Sequence, residues 1–229
     1  MERKSRMFTG LRTYNPYFGC KHHCYNDGCF AKKRLAHRIG TGINCQLCYD
    51  FKPHFHPKRL TRIPKDPRLF VGAHCDQFAE WVESGTIFII LDACKQTPKD
   101  QWFYETKNPR RYLEFLKFFP ENTMLSTTIE TNRVYNTKIR GRTPTPDQRL
   151  DSMLDVKEHA DFPLHIAVEP ILDFDLPVMV EWMRLIEPVK VAIGYDSLGN
   201  HLPSPPVEKT EKLIKELEGF TEVERKQIP

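Results

Sequence analysis

Apolar residues follow two alternating rhythms along this chain, short unbroken runs and longer stretches that repeat every three or four positions. RLFVGA (68–73), QWFYET (101–106), MLSTTIET (124–131), LHIAVEPIL (164–172) and KVAIGY (190–195) are short, apolar and bounded by turn residues, as buried strands are. MFTGLRTYN (7–15) supplies a further strand ahead of them. Between them the period lengthens. Helices are predicted around Phe30–Ile39, over RRYLEFLKFF (110–119), DQRLDSMLDVKEHA (147–160), LPVMVEWMRLIE (176–187) and VEKTEKLIKELEGF (207–220). SGTIFIILDACKQTP contains a strand-like IFIIL, yet Ser84 can cap it, Ile87, Ile90, Leu91 and Cys94 recur at helical spacing, and Pro98 closes it, so it is read as a helix. Asp147 or Thr145 is placed to cap the helix that follows.

Strand and helix thus alternate six times, and near-continuous apolar strands mean a parallel sheet covered by helices. A doubly wound sheet and a partial barrel both satisfy the pattern; the partial (βα)6 TIM-like barrel is the expectation adopted, as one domain over 1–229. A Pro- and His-rich excursion, 40–67, interrupts the alternation. In either architecture ligands collect at the carboxyl ends of the strands. The residues there are Cys20, Cys24 and Cys29, then His74-Cys75-Asp76, Glu105 and Lys107, Glu130 and Asn132, Glu169, and Tyr195-Asp196-Ser197.

Composition narrows the class. With 40% apolar and 28% charged residues in 229, the chain has the makeup of a soluble globular domain. Neither a secretory leader nor a run of about 18 apolar residues is found, so no membrane is implied and a cytoplasmic setting is expected. The net charge of +4 conceals an asymmetry: residues 1–65 hold 14 Lys/Arg against three Asp/Glu. A basic third of that kind is a solvated face or a surface for a polyanion.

That basic third also carries most of the cysteines. Seven cysteines in a reducing compartment point to metal or redox chemistry rather than a disulfide framework. GCKHHCYNDGCF spaces three of them as C-x3-C-x4-C on one loop after the first strand. Structural zinc wants four closed ligands. Three thiols suit a 4Fe-4S cluster that leaves one iron open, with zinc completed by another ligand as the alternative. His22 and His23 are expected as exposed loop residues. Cys45-Gln-Leu-Cys48 with His54 and His56 close behind forms a candidate second metal site, for zinc or another cluster, against a redox pair or no special role. Cys94 belongs to an apolar helix face. Cys75, at a strand end, is read as a pocket-facing thiol or a small core residue.

A three-cysteine loop after the first strand of a six-fold strand-helix repeat resembles the radical S-adenosylmethionine (radical SAM) superfamily. The usual motif there is C-x3-C-x2-C; this chain has two more residues before Cys29. TYNPYFGC, CFAKKRL, FHPKRL, RLFVGAHCDQF, ETKNPRRYLEFL, STTIETNR, AVEPIL and AIGYDS are similar, in order, to stretches of an uncharacterised phage-associated radical-SAM-like family distantly similar to spore photoproduct lyase. The resemblance implies that Cys20, Cys24 and Cys29 ligate a 4Fe-4S cluster whose open iron binds S-adenosylmethionine (SAM), reduced by a flavodoxin- or ferredoxin-type donor. It further implies Asp76 near the methionine amino group, Ser126, Thr128, Glu130 and Asn132 near the ribose, and Gly194 beside the adenine. Glu169 would meet cofactor or substrate, and Cys75 would donate a hydrogen atom, on a substrate that could be a nucleic acid or nucleotide. Two rivals explain the same residues. One is a zinc-stabilised nucleic-acid-binding protein without catalysis; the other is a hydrolase or transferase using a pair such as Glu130 and Glu169.

Overall fold

A computed structural model describes residues 10–229; the start of the expected first strand, 7–9, lies outside the described residues. β1 (Arg12–Tyr14) leads through β2 (Tyr17–Phe18) into the cysteine loop, which holds a short turn, α1 (Cys24–Asp27). A π-helical stretch, Ala31–Ala36, runs into α2 (His37–Gly42), and the excursion holds α3 (Gln46–Tyr49) and β3 (His54–Phe55). The repeat then proceeds as β4 (Arg68–Val71), α4 (Ser84–Lys95), β5 (Gln101–Thr106), β6 (Thr123–Thr128), α5 (Thr137–Arg140) and α6 (Pro146–His159). It ends with β7 (Leu164–Val168), α7 (Leu176–Ile186), β8 (Lys190–Ile193), α8 (Val207–Leu217) and β9 (Glu222–Arg225).

The main sheet has seven strands in the order β1-β4-β5-β6-β7-β8-β9, every neighbour parallel. Strands stand in chain order with no reversal, which removes the doubly wound alternative, since that topology needs a switch point. Among the described residues the ladder does not join β9 to β1, so the curl is a mixed α/β partial barrel and not a closed one. β2 and β3 form a separate antiparallel pair.

Alternation along the strands assigns the two faces. Trp102, Tyr104, Leu125, Ile166, Val168, Val191 and Ile193 share one core with Ile87 and Ile90 of α4, Met153 of α6, Met183 of α7 and Leu213 of α8. Leu11, Phe70, Phe103 and Ala192 pack together on the opposite, concave face, with no helix residue among them. At full burial each large side chain in these layers contributes about 1.5–3 kcal/mol.

Two expectations are corrected. The segment 110–119 is not an α-helix but two 3-10 stretches, Pro109–Glu114 and Leu116–Phe118. Its buried residues Pro109, Tyr112 and Phe115 recur every three positions, the 3-10 period, and the Tyr112 hydroxyl donates to the carbonyls of Tyr104 and Ser126, drawing the segment flat onto the sheet. The seventh strand, β9, was not expected, because Glu222-Val-Glu-Arg225 reads as polar. It is an edge strand, where charges are favoured, and Lys190 of β8 pairs with both Glu222 and Glu224. Thr145, rather than Asp147, caps α6 through a capping box with Gln148.

Candidate functional site

The cysteine loop is held from two sides. Gly19 takes φ +84°, and a Cβ there would collide with the Lys52 carbonyl, so only glycine lets the loop back onto the excursion. Its amide donates to the His74 carbonyl (3.1 Å), and Gly19 bridges Cys75 in parallel, tying the loop after β1 to that after β4. His22 corrects an expectation: it is buried, with Nε2 2.8 Å from Asp76 Oδ2 and Nδ1 2.9 Å from the Arg142 carbonyl. Both ring nitrogens thus face oxygen atoms, one on the sheet side and one on the segment after α5. His23 is exposed, as expected.

Asp76 is saturated. Oδ1 accepts from Thr106 Oγ1 (2.6 Å) and the Phe78 amide (3.2 Å), and Oδ2 from His22 and the Lys107 amide (2.9 Å). Burial alone would raise this carboxyl, but His22, Thr106 and the Lys107 amide outweigh it and hold it below the usual carboxylate value. Any ligand contact at Asp76 must therefore displace or share one of these bonds.

The stretch between Cys24 and Cys29, two residues longer than in the common motif, makes a second anchor through Tyr25. Tyr25, Asn26 and Asp27 all take positive φ, a left-handed turn that costs about 1–2 kcal/mol per residue and persists only where the surroundings dictate it. What dictates it is Tyr25, whose hydroxyl donates to Glu130 Oε1 (2.6 Å) and accepts from Lys107 Nζ (3.0 Å). Glu130 also pairs with Lys107 directly and with Arg149 Nη1 (2.8 Å), and the same guanidinium donates to the Thr128 carbonyl. Burial pushes the Glu130 carboxyl up; Arg149 and then Lys107 more than reverse this and hold it at about 2.

Cys20, Cys24 and Cys29 line one recess with His22, Asp27, Lys32 and Phe51. Burial, with Asp76 adding to it, lifts the Cys20 thiol well above its ordinary value, and burial lifts Cys24 to about 12 against the pull of Lys107. A metal must therefore replace protons here. Among the described residues, the metal-capable side chains whose ligand atoms all lie within 4.8 Å are Cys45, Cys48, His54 and His56; the three loop thiols do not form such a group. A single ion with bonds of about 2.3 Å needs its sulfurs within about 4.6 Å of each other, so the three loop thiols as placed do not form a one-ion site.

The concave floor is polar near the strand ends. Glu105, Ser126 and His165 are register neighbours on β5, β6 and β7. Ser126 Oγ donates to Glu105 Oε2 (3.1 Å) and lies 2.9 Å from His165 Nδ1, which therefore carries the proton of that ring. Burial lowers His165 to about 3, so it is neutral, and raises Glu105 to about 7. A carboxyl raised from about 4.5 contributes stability that is lost as pH climbs from about 4.5 through 7. Glu105→Gln is expected to gain stability relative to the unsubstituted chain across that window, read from denaturation midpoints at pH 4.5, 6 and 8; parallel profiles would refute it.

The remaining predicted residues separate. Glu169 pairs with Lys226 (3.1 Å), and a Cβ on Gly194 would press on both, so the glycine keeps that corner open. Thr128 is buried beside Arg149. Cys75 Sγ donates to the Gly72 carbonyl (3.4 Å) next to the loop, and its thiol is pushed well up by burial. Asn132 lies outside this group and accepts from the Asp175 amide (2.8 Å). Cys94 is core. Across the mouth, Asn200 from the loop after β8 donates to the Gly28 carbonyl (3.2 Å) and accepts from Lys33 (2.6 Å).

Sequence reasoning missed Tyr25, Arg149 and Asn200. Arg149 left a signal: it occupies the face of α6 that carries Met153 and Val156, where an unpaired charge would be untenable.

A family described as "Protein of unknown function (DUF5131)" matches residues 7–173. The chain belongs to the DUF5131 family. No curated protein matches this DUF5131 chain by sequence. Among solved structures it is similar to a spore photoproduct lyase variant with bound AdoMet and dinucleoside spore photoproduct, at TM-score 0.58 and 12% identity, over 95% of this chain and 65% of that one. A second spore photoproduct lyase variant gives TM-score 0.62 at 11% identity, over 93% and 75%. The DUF5131 chain thus shares that fold while spanning about 65% of the length of the first of these lyases. No helix among the described residues is long and apolar enough to cross a membrane.

Proposed function

We propose that this chain is a radical SAM enzyme acting on a nucleic acid or nucleotide, with Cys20, Cys24 and Cys29 as the ligands of a 4Fe-4S cluster. The observation that carries the reading is the thiol trio: three cysteines line one recess at the carboxyl ends of an open parallel sheet. When bound, the cluster with SAM supplies one-electron cleavage of the sulfonium to a 5′-deoxyadenosyl radical.

The chain's own residues bind and orient. Lys32 lines the recess and Lys107 acts on Cys24, both offsetting thiolate charge. Asp76 works through His22, fixing the loop against the sheet, while Glu130 fixes it through Tyr25. On the concave face Ser126, Thr128 and Gly194 are assigned to SAM, and Glu169 with its Lys226 partner to SAM or substrate; Asn132 is the outermost of the ribose-side set. Cys75, kept as a neutral thiol by burial, has the S–H bond that hydrogen-atom donation needs. The basic residues of 1–65 favour a polyanionic substrate, and the AdoMet and dinucleoside held by the neighbouring lyase fit the same chemistry. A flavodoxin- or ferredoxin-type protein is the proposed electron donor.

The test is anaerobic reconstitution followed by reduction with dithionite and SAM. About four irons and matching sulfide per chain beyond any zinc, a brown colour and release of 5′-deoxyadenosine are expected. A colourless, zinc-only protein that leaves SAM intact and binds DNA or RNA with a steep salt dependence would replace the enzyme with a binding module.

A further inference from the structure

We infer that Cys45, Cys48, His54 and His56 hold one zinc ion in a closed tetrahedral site that forms the back wall of the cysteine recess. The site stands on its own geometry; its service to a cluster rests on the reading above.

His54 Nε2 lies 3.4 Å from both Cys45 Sγ and Cys48 Sγ, and His56 Nε2 is 3.1 Å from Cys48 Sγ. Tetrahedral zinc, with bonds of about 2.3 Å to sulfur and about 2.0 Å to nitrogen, separates its ligand atoms by about 3.3–3.8 Å. The four side chains are therefore already gathered at close to the required spacing. His54 Nδ1 donates to the Lys52 carbonyl (2.8 Å), which fixes the tautomer and leaves Nε2, the nitrogen that faces both sulfurs, as the ligand. Binding releases two thiol protons and replaces the sulfur–nitrogen hydrogen bonds with bonds to the metal. Two thiolates and two neutral imidazoles then cancel the ion's charge, as suits a site whose Cys48 is wholly buried.

Chemistry selects the metal and the role. A tetrahedral set of two sulfurs and two nitrogens is a zinc environment, and four protein ligands leave no open position, which marks a structural site. The stretch it closes, 45–56, otherwise contains one helical turn and a two-residue strand. That strand pairs His54 with Phe18, two residues before Cys20. Phe51, one of the recess walls, packs edge-on against Phe18 with centroids 5.9 Å apart, in a small core that Cys20, Cys29 and Cys45 border. A metal that pins Cys48 and His54 therefore pins the surface behind the cysteine loop.

Metal analysis of the full chain should find one zinc in the unsubstituted protein and in the variant with Cys20, Cys24 and Cys29 all changed to alanine. Cys48→Ser should lose it. Because Cys48→Ser could simply fail to fold, the unsubstituted protein exchanged with cobalt(II) is the second measurement. Intense visible bands of a tetrahedral thiolate centre are expected. A zinc-free protein with a Cys45–Cys48 disulfide by mass spectrometry, a weak octahedral cobalt spectrum, or zinc that vanishes with the three loop cysteines would each overturn the site. One zinc with no iron uptake would leave the site standing and remove the cluster. Zinc stripped by a chelator should lower subsequent iron uptake at least several-fold, and unchanged uptake would refute the wall.

Discussion

Cys24→Ala is expected to abolish the iron centre, taking the reconstituted protein from about four irons per chain to background and ending 5′-deoxyadenosine release. Three thiols are the minimum that leaves a single open iron, and none of the other described cysteines is poised to substitute: Cys94 is in the core, Cys75 donates to a backbone carbonyl, and the Cys45–Cys48 pair faces its own histidines. The fold should survive, because the loop's anchors are His22 and Tyr25 on either side of the substituted residue and both persist. Iron and sulfide content with the visible spectrum reads the result, and circular dichroism controls for folding. Retention of the full iron complement would mean that the ligands have been grouped wrongly. Cys45→Ala, by contrast, should lose zinc and take up less iron, while the iron that does bind keeps the visible spectrum of the unsubstituted protein.

Arg149→Met is expected to be the most damaging single change to stability, at about 3–5 kcal/mol, because it leaves the buried Glu130 carboxylate short of its strongest partner. Against a total of about 5–15 kcal/mol for a domain this size, the urea midpoint should fall steeply. The same pair writes a pH signature. The Glu130 carboxyl drops from about 4.5 to about 2 on folding, so between those values the unfolded chain binds a proton that the folded chain does not, and stability is lost as pH falls through that window. In Arg149→Met the window should shrink. The double variant with Glu130→Gln should recover part of the loss, since it removes the stranded charge. If it adds the two single losses in full, the two residues are not coupled and the account fails.

The repeat was legible because strands β4 to β8 are largely buried on both faces and the long helices show apolar stripes, so period and length mark both kinds of element. What stayed hidden was set by contacts distant in sequence. Residues 110–119 carry a helical pattern, but the reach of Tyr112 to two strands selects the tighter winding. The charges of β9 disguise an edge strand. At the site, clustered thiols announce themselves, and the strand-end list contained Glu130, Asp76 and Glu169. It could not say that Asp76 and Glu130 are engaged by the cysteine loop itself, since their partners stand 54 and 105 residues away in the chain. His22 read as a loop residue for the same reason.

The sheet that stops between β9 and β1 has a mechanical meaning. In a closed barrel, strand number and stagger fix the radius, and no strand moves without breaking a ladder. Here, among the described residues, the first and last strands have no ladder between them, and across the mouth the Asn200 amide and Lys33 ammonium span the seam. One of these hydrogen bonds is half-buried and the other exposed, each worth about a kilocalorie. Among the described residues this seam is therefore bridged by loop side chains and not by strand pairing, as a clasp holds the gap of a split ring.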